Sequence, residues 1–354
     1  MRKPAILVAL ALICVVGATP ADAAPRRSFY GIQDWSAPSQ QDFKRLRKAR
    51  VGTLRTNLTW SEVEPVRGMR NWAPFDLLMR RAARARITVA PTLIGSPSFA
   101  ARRPQYPPVR RKKGYSAWLR FVRDAVNRYG RGGRFWKQNR GLPRRPVKAW
   151  MVWNEPNFPV YWFNKPRPRE YVRFLRKTRR RIKKADRRAK IVLAGLPETK
   201  NGMPMRRFLR RVYRVRWARK QFDVVAIHPY ARNHRGVVGA VRRARRVMRR
   251  SRDRRTPIWV TEVGWATGGK VSRPTRKFKT SRRGQAKRLR KTFRRVTRLR
   301  RKLRVGMIVW FSLRDRAPAP GEPNWWAIHT GLFTRDGDPK PAWRAFRRFT
   351  RRAR

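Results

Sequence analysis

Ala149-Trp150-Met151-Val152-Trp153-Asn154-Glu155-Pro156 and Ile258-Trp259-Val260-Thr261-Glu262-Val263 are two apolar runs of β-forming residues, each ending in one carboxylate. Carboxylates are scarce in this chain, with 18 Asp and Glu against 94 Lys and Arg. Such a run reads as a buried strand of a parallel sheet that delivers its polar residue to its carboxyl end. Glu155 and Glu262 are 107 residues apart. At roughly 35 residues per βα unit in a barrel of about 250–300 residues, that is three units.

Working outward, similar segments recur at Phe29–Ile32, Val51–Leu58, Ile87–Ile94, Ala149–Asn154, Ile191–Leu196, Phe222–Ile227, Ile258–Thr261 and Val305–Phe311. Basic stretches with helical spacing lie between them, such as Tyr171, Phe174, Leu175, Thr178 and Ile182, or Phe43 and Leu46. Eight strands alternating with helices predict a (β/α)₈ TIM barrel, with Glu155 on the fourth strand and Glu262 on the seventh. Alternation of side chains predicts four shared faces. They are Val51, Thr53, Arg55 and Asn57 on the second strand, and Ala149, Met151, Trp153 and Glu155 on the fourth. On the sixth they are Val224, Ala226, His228 and Tyr230, and on the seventh Ile258, Val260 and Glu262.

The amino terminus reads as a signal peptide over residues 1–24. Arg2 and Lys3 precede the apolar stretch Ala5–Val16, and Ala21-Asp22-Ala23 follows with a small-x-small pattern. Residues 25–354 are then expected to form one catalytic domain, secreted, with the cell wall as a place of association, and with no integral membrane segment after signal removal. Cys14 is the single cysteine, so the mature chain has no disulfide and no thiolate metal site. Its 15 Trp and 17 Phe supply a large apolar core.

The formal net charge of +76 predicts non-specific attraction to polyanions such as cell-wall polymer or nucleic acid, and opposes self-association, favouring a monomer. It does not by itself mark a recognition patch. Lys270–Arg283 has seven basic residues in 14 positions, and the helical segment Gly284–Arg304 has 11 in 21. The latter carries Leu289, Phe293, Val296, Leu299 and Leu303 on one face. By contrast, Ala149–Asn164 and Thr256–Gly269 contain no Lys or Arg. A cation beside Glu155 would lower its pKa and spoil it as a proton donor, so this depletion favours an acid/base site, with Arg55 as the exception.

The ordered set resembles the clan A glycoside hydrolases, the group that includes families 5 and 39, over essentially the whole mature chain. The marks are Asn154-Glu155-Pro156 ending the fourth strand, Thr261-Glu262 ending the seventh, Arg55 on the second, His228 and Tyr230 on the sixth and Trp310 on the eighth. Gly331-Leu332-Phe333 and Asp336-Gly337-Asp338-Pro339-Lys340-Pro341-Ala342-Trp343 look like the tail leading into the last helix of such barrels, and Gly264-Trp265 is closer to family 5 usage. The resemblance implies a retaining β-glycoside hydrolase with a carbohydrate substrate and no cofactor or metal. Glu155 would be the acid/base, Glu262 the nucleophile, and Asn154 the partner of the sugar 2-OH. Arg55 and Tyr230 would donate to Glu262, His228 would contact the sugar or the acid/base, and Trp310 would floor the cleaved subsite.

Three scattered histidines make no metal-ligand spacing, and His234 and His329 read as loop residues. No Gly-rich phosphate loop follows a strand. Trp60, Trp72, Phe99, Tyr161, Trp162, Trp265, Trp325 and Trp326 fall in or near loops after strand ends, where they either extend a sugar cleft or plug loops against the barrel. Their number favours an open cleft for a polymer. The competing readings are an inactive barrel that binds anionic wall polymer, and a basic nucleic-acid-binding protein. The second leaves the Asn-Glu and Thr-Glu placement without a reason.

Overall fold

The computed structural model describes residues 23–199 and 201–354. Of the signal-peptide reading over residues 1–24, residues 1–22, Cys14 included, lie outside the described residues. Eight parallel strands close into a barrel in sequence order: β1 (Tyr30–Gln33), β2 (Thr53–Thr59), β3 (Thr88–Ile94), β4 (Ala149–Val152), β5 (Lys190–Pro197), β6 (Val224–His228), β7 (Ile258–Val263) and β8 (Val305–Phe311). The helices are α1 (Gln40–Lys48), α2 (Trp60–Val63), α3 (Ala73–Arg84), α4 (Lys112–Tyr129), α5 (Arg134–Gln138), α6 (Pro168–Ala185), α7 (Met205–Tyr213), α8 (His234–Arg250), α9 (Arg282–Leu303) and α10 (Pro341–Arg351). Among the described residues no helix is long and apolar enough to cross a membrane.

The main core lies between strands and helices. Each basic helix lays one apolar stripe onto the barrel. Tyr171, Phe174, Leu175, Thr178 and Ile182 of α6 are buried, as are Leu289, Phe293, Val296 and Leu303 of α9. A smaller cluster of Ala149, Met151, Val192, Val224 and Ala226 fills the barrel itself. Helix starts are set by side chains that accept otherwise unpaired N–H groups. Ser39 and Asp42 form a reciprocal capping box on α1, and Asn233 and Ser281 cap α8 and α9.

The few acids outside the barrel tie helices and loops together. Asp76 of α3 accepts from Arg128 Nε at 2.8 Å and from the Tyr129 hydroxyl at 2.7 Å, both on α4. Asp186 after α6 pairs with Arg131 at 2.8 Å, Asp42 of α1 with Arg314 at 2.6 Å, and Asp124 of α4 with Arg70.

Side-chain parity holds on β6 and fails at three other places. On β4 the strand ends at Val152, and Trp153 does not point inward. It takes a left-handed backbone (φ 72°) and packs against Trp118 and Phe174 in the helical layer. On β7, Ile258 and Val260 face the helices, while Trp259 and Thr261 line the interior beside Arg55 and Met151. A register shift between Val260 and Val263 then turns Glu262 inward, as a bulge does. Before β2, Val51 joins the outer core, whereas within the strand alternation holds, with Leu54 and Leu58 in the outer core and Arg55 on the interior face.

Candidate active site

The centre is assembled on Arg55, a fully buried guanidinium rising from β2. Its Nη1 donates to Glu262 Oε1 at 2.6 Å and also contacts Gln33 Oε1 at the end of β1. Its Nη2 donates to Asn154 Oδ1 at 3.1 Å. One cation thus orients the nucleophile candidate and the amide beside the acid/base candidate. Burying an arginine is costly unless its charge is paired and its donors are used. Here Glu262 pairs the charge, and Gln33, Glu262 and Asn154 take up both terminal nitrogens, while the buried Nε has no partner.

Glu262 also accepts from the Tyr230 hydroxyl at 2.8 Å. Burial works to raise its pKa, but the charges of His228 and Arg55 and the donations from Tyr230 and Arg55 outweigh it, and the net shift is downward. Glu155 moves the other way. Burial raises its pKa and nearby Glu262 adds to the rise, against the hydrogen bond and charge of His228. One carboxyl is thereby kept ionised and the other disposed to carry a proton, the division of labour that acid/base chemistry with two carboxylates requires.

His228 joins the pair. Its Nδ1 lies 2.6 Å from Glu155 Oε1 and 3.5 Å from Glu262 Oε2. Its Nε2 is buried without a hydrogen-bond partner and backs onto Gly195 of β5. Nδ1 is therefore the nitrogen that faces the carboxylates. The three ligand atoms of Glu155, His228 and Glu262 lie within 4.8 Å of one another. That spacing alone would admit a cation, but Arg55 already occupies the side of Glu262 with a fixed positive charge.

Asn154 and Glu155 are consecutive, yet both turn to the centre. Glu155 has a left-handed backbone (φ 42°) like Trp153 before it. Non-glycine residues rarely adopt this conformation, and such strain clusters at functional sites. Tyr161, further along the same loop, is within hydrogen-bonding reach of Asn154. Burial, then the charges of Glu155 and Glu262, push its pKa up.

Of the residues singled out in the sequence, Glu155, Glu262, Asn154, Arg55, His228 and Tyr230 come together here. Trp310 does not. It is fully buried against Trp265 and Phe293 in the helical layer, and its Nε1 donates to the Thr330 carbonyl at 3.1 Å. Met307 lines the interior of β8 and alternation brings Phe311, not Trp310, to the cleft, since an offset of one residue reverses the face. Phe311 joins a cluster with Trp326, Trp35, Tyr230, Phe278 and Trp325. Trp60, Trp162 and Trp265 are buried plugs, and Trp72 stacks on Phe121 of α4.

The residues not foreseen are Gln33, Trp35, Phe311 and Gly195. A count of alternation along β8 from Met307 would have found Phe311. Gly195 and Gln33 owe their places to contacts between strands that no local pattern reports.

A family profile described as "Glycosyl hydrolase catalytic core" matches residues 116–326. No curated protein matches the chain by sequence. Among solved structures, a family 39 glycoside hydrolase from Bacteroides cellulosilyticus WH2 is similar at 18% identity and a TM-score of 0.66, covering 93% of this chain and 64% of its own. A monomeric beta-xylosidase from Caulobacter crescentus CB15 is similar at 20% identity and a TM-score of 0.67, with 92% and 68% covered. A GH5_18 protein from Bifidobacterium longum subsp. infantis is similar at 14% identity and a TM-score of 0.65, with 94% and 79% covered. At these identities the likeness is one of fold, and the chain spans less than two thirds of the first of these structures.

Proposed function

Because the chain belongs to the family of glycosyl hydrolase catalytic cores, we propose that it is a secreted, retaining β-glycosidase that cleaves a polysaccharide or oligosaccharide by double displacement. The observation that carries this reading is the spacing of the carboxylates: an oxygen of Glu155 and an oxygen of Glu262 lie within 4.8 Å of each other. Retaining enzymes hold the two groups about 5–5.5 Å apart, whereas inverting ones leave about 6.5–9.5 Å for a water.

In the first step Glu155 gives its proton to the leaving glycosidic oxygen as Glu262 attacks the anomeric carbon, so one C–O bond forms as the other breaks. In the second, Glu155 takes a proton from water, and the water oxygen displaces Glu262 from that carbon. Arg55 and Tyr230 hold Glu262 ionised and aimed. Asn154, its carbonyl fixed by Arg55, leaves its amide nitrogen for a sugar hydroxyl. His228 sits where its Nδ1 can share a proton with Glu155. An inactive barrel that only binds anionic polymer would need a displaced carboxylate pair, and the short spacing argues against it.

The test follows the anomeric configuration of the first-formed product by NMR during hydrolysis of an aryl β-glycoside. Retention is expected, together with loss of turnover in Glu262→Ala. Inverted product, or parent-level turnover in that variant, would sink the mechanism. Secretion rests on Arg2, Lys3 and the apolar Ala5–Val16. Amino-terminal sequencing of protein recovered from the medium tests it, and an intact Met1 there would refute signal removal.

A further inference from the structure

We propose that the substrate is an anionic polysaccharide, gripped beyond the cleaved sugar by a wall of aromatic rings and cations built beside the nucleophile. This rests on the glycosidase reading above and adds the class of chain that is cleaved.

The wall begins with the loop between β7 and α9, residues 264–281, which follows directly from the strand of Glu262. It carries Lys270, Arg273, Arg276, Lys277 and Lys279 and not one acid. All five are exposed. The loop is fastened to the site. Ala266 N donates to the Phe278 carbonyl at 2.8 Å, and Trp326 N to the Lys270 carbonyl at 3.0 Å. The Phe278 ring lies 4.8 Å from Trp326 and 6.0 Å from Tyr230, whose hydroxyl holds Glu262. Lys277 Nζ stands 5.3 Å from the centre of the Phe278 ring. A loop cation is therefore joined to the nucleophile through two rings in contact.

From Tyr230 the aromatic surface continues through Phe311 and Trp35, whose rings are 4.9 Å apart, to Trp325. Sugar rings bind such surfaces through their C–H faces whether or not the chain is charged. Exposed cations beside the rings contribute most when the chain carries acid groups, since hydrogen bonds between ionised partners are stronger than those to neutral hydroxyls. Arg and Lys are the groups that hold such acids by charge-assisted hydrogen bonds.

Negative charge near this wall is reduced. Glu322 is held by Arg316 at 2.5 and 2.7 Å, so neither counts as free. Burial pushes the Asp34 carboxyl, beside Trp35, up to about 7. The helices are basic as well, but their cations stand over solvent with no aromatic wall tied to the centre. Within the centre the charge of Arg55 is paired with Glu262, and Lys and Arg are missing from Ala149–Asn164 and Thr256–Gly269. The charge thus starts one loop outside the cleaved bond, which places the acid groups of the substrate on flanking sugars.

The experiment compares glucuronoxylan, alginate and pectate, each against its carboxyl-reduced form, with polyphosphate as bare charge. Two readouts are used: inhibition of aryl β-glycoside hydrolysis, and retardation in affinity electrophoresis, which needs no turnover. The proteins are the parent, the loop variant Arg273→Gln/Arg276→Gln/Lys277→Gln, and a control on the exposed face of α9, Arg290→Gln/Arg294→Gln/Arg298→Gln. At least one native polymer is expected to act at a concentration tenfold or more below its reduced form. That advantage should fall about tenfold in the loop variant and persist in the control. If no polymer is preferred over its reduced form, or the control loses as much as the loop variant, or polyphosphate inhibits as well as the best glycan, the proposal is overturned. Absence of any aryl β-glycoside turnover would instead refute the glycosidase reading, with the electrophoretic readout still deciding the binding claim.

Discussion

The imidazole of His228 rests against the bare backbone of Gly195, and this contact holds Nδ1 2.6 Å from Glu155. A Cβ at position 195 would overlap the ring, and Gly195 lies in the irregular stretch of β5 where pairing to β6 shifts between Leu193 and Leu196. Gly195→Ala should therefore displace His228 toward the carboxylates. Misplacement by about 1 Å costs on the order of 10²-fold in rate. The expected outcome is a loss of that size in kcat with a folded circular dichroism spectrum. Parent-level kcat would show that the ring is not held from behind.

The dependence of kcat/KM on pH should be bell-shaped, because Glu262 must be ionised and Glu155 protonated. The lowered pKa of Glu262 sets the acid limb below the usual carboxylate range, and the raised pKa of Glu155 sets the alkaline limb above it. Tyr230→Phe removes a donor to the Glu262 carboxylate, so its pKa rises and the acid limb moves to higher pH. An acid limb that stays in place would disconnect Tyr230 from the nucleophile.

Arg55→Met leaves the buried Glu262 carboxylate without its ion pair. Breaking a buried pair typically costs about 3–5 kcal/mol. Urea unfolding should show a loss in that range, and a smaller one when Glu262→Gln is already present. Equal losses in the two backgrounds would mean that Arg55 acts through packing alone.

Trp310 and Phe311 are neighbours with opposite fates. Trp310→Ala should destabilise the fold by about 3–5 kcal/mol, as expected for emptying a large core site. Phe311→Ala should raise KM severalfold and cost less stability. Thermal unfolding and steady-state kinetics on the two variants would separate them, and the reverse pattern would restore Trp310 to the cleft.

The barrel was legible because it depends on repetition. Eight β-rich segments and the helical stripes between them are long patterns, and the apolar positions read on α6 and α9 are those that the helices bury, Leu299 only in part. His228 and Tyr230 were legible too, since β6 keeps its ladder to the end. Trp153, Ile258 and Val260 were misplaced by the same rule that succeeded on β6. Alternation presumes an unbroken ladder, and β4 and β7 break theirs where the carboxylates are delivered, by left-handed residues in one case and a bulge in the other. Departures from local rules concentrate where chemistry is done. Gln33 and Gly195 were invisible for another reason: their roles lie in contacts across strands.

The scarce acids that tie helix to helix have a consequence for the molecule as a polyelectrolyte. Asp42, Asp76, Asp124 and Asp186 act as rivets across a surface whose formal net charge is +76. Folding compresses that charge into a small volume, and mobile counterions have to share the work of the rivets. In dilute buffer, where the Debye length stretches to about 30 Å, cations on opposite faces of a helix repel one another almost unscreened. Dissolved anions are in that sense a structural component of this protein, supplied by its surroundings rather than by its chain.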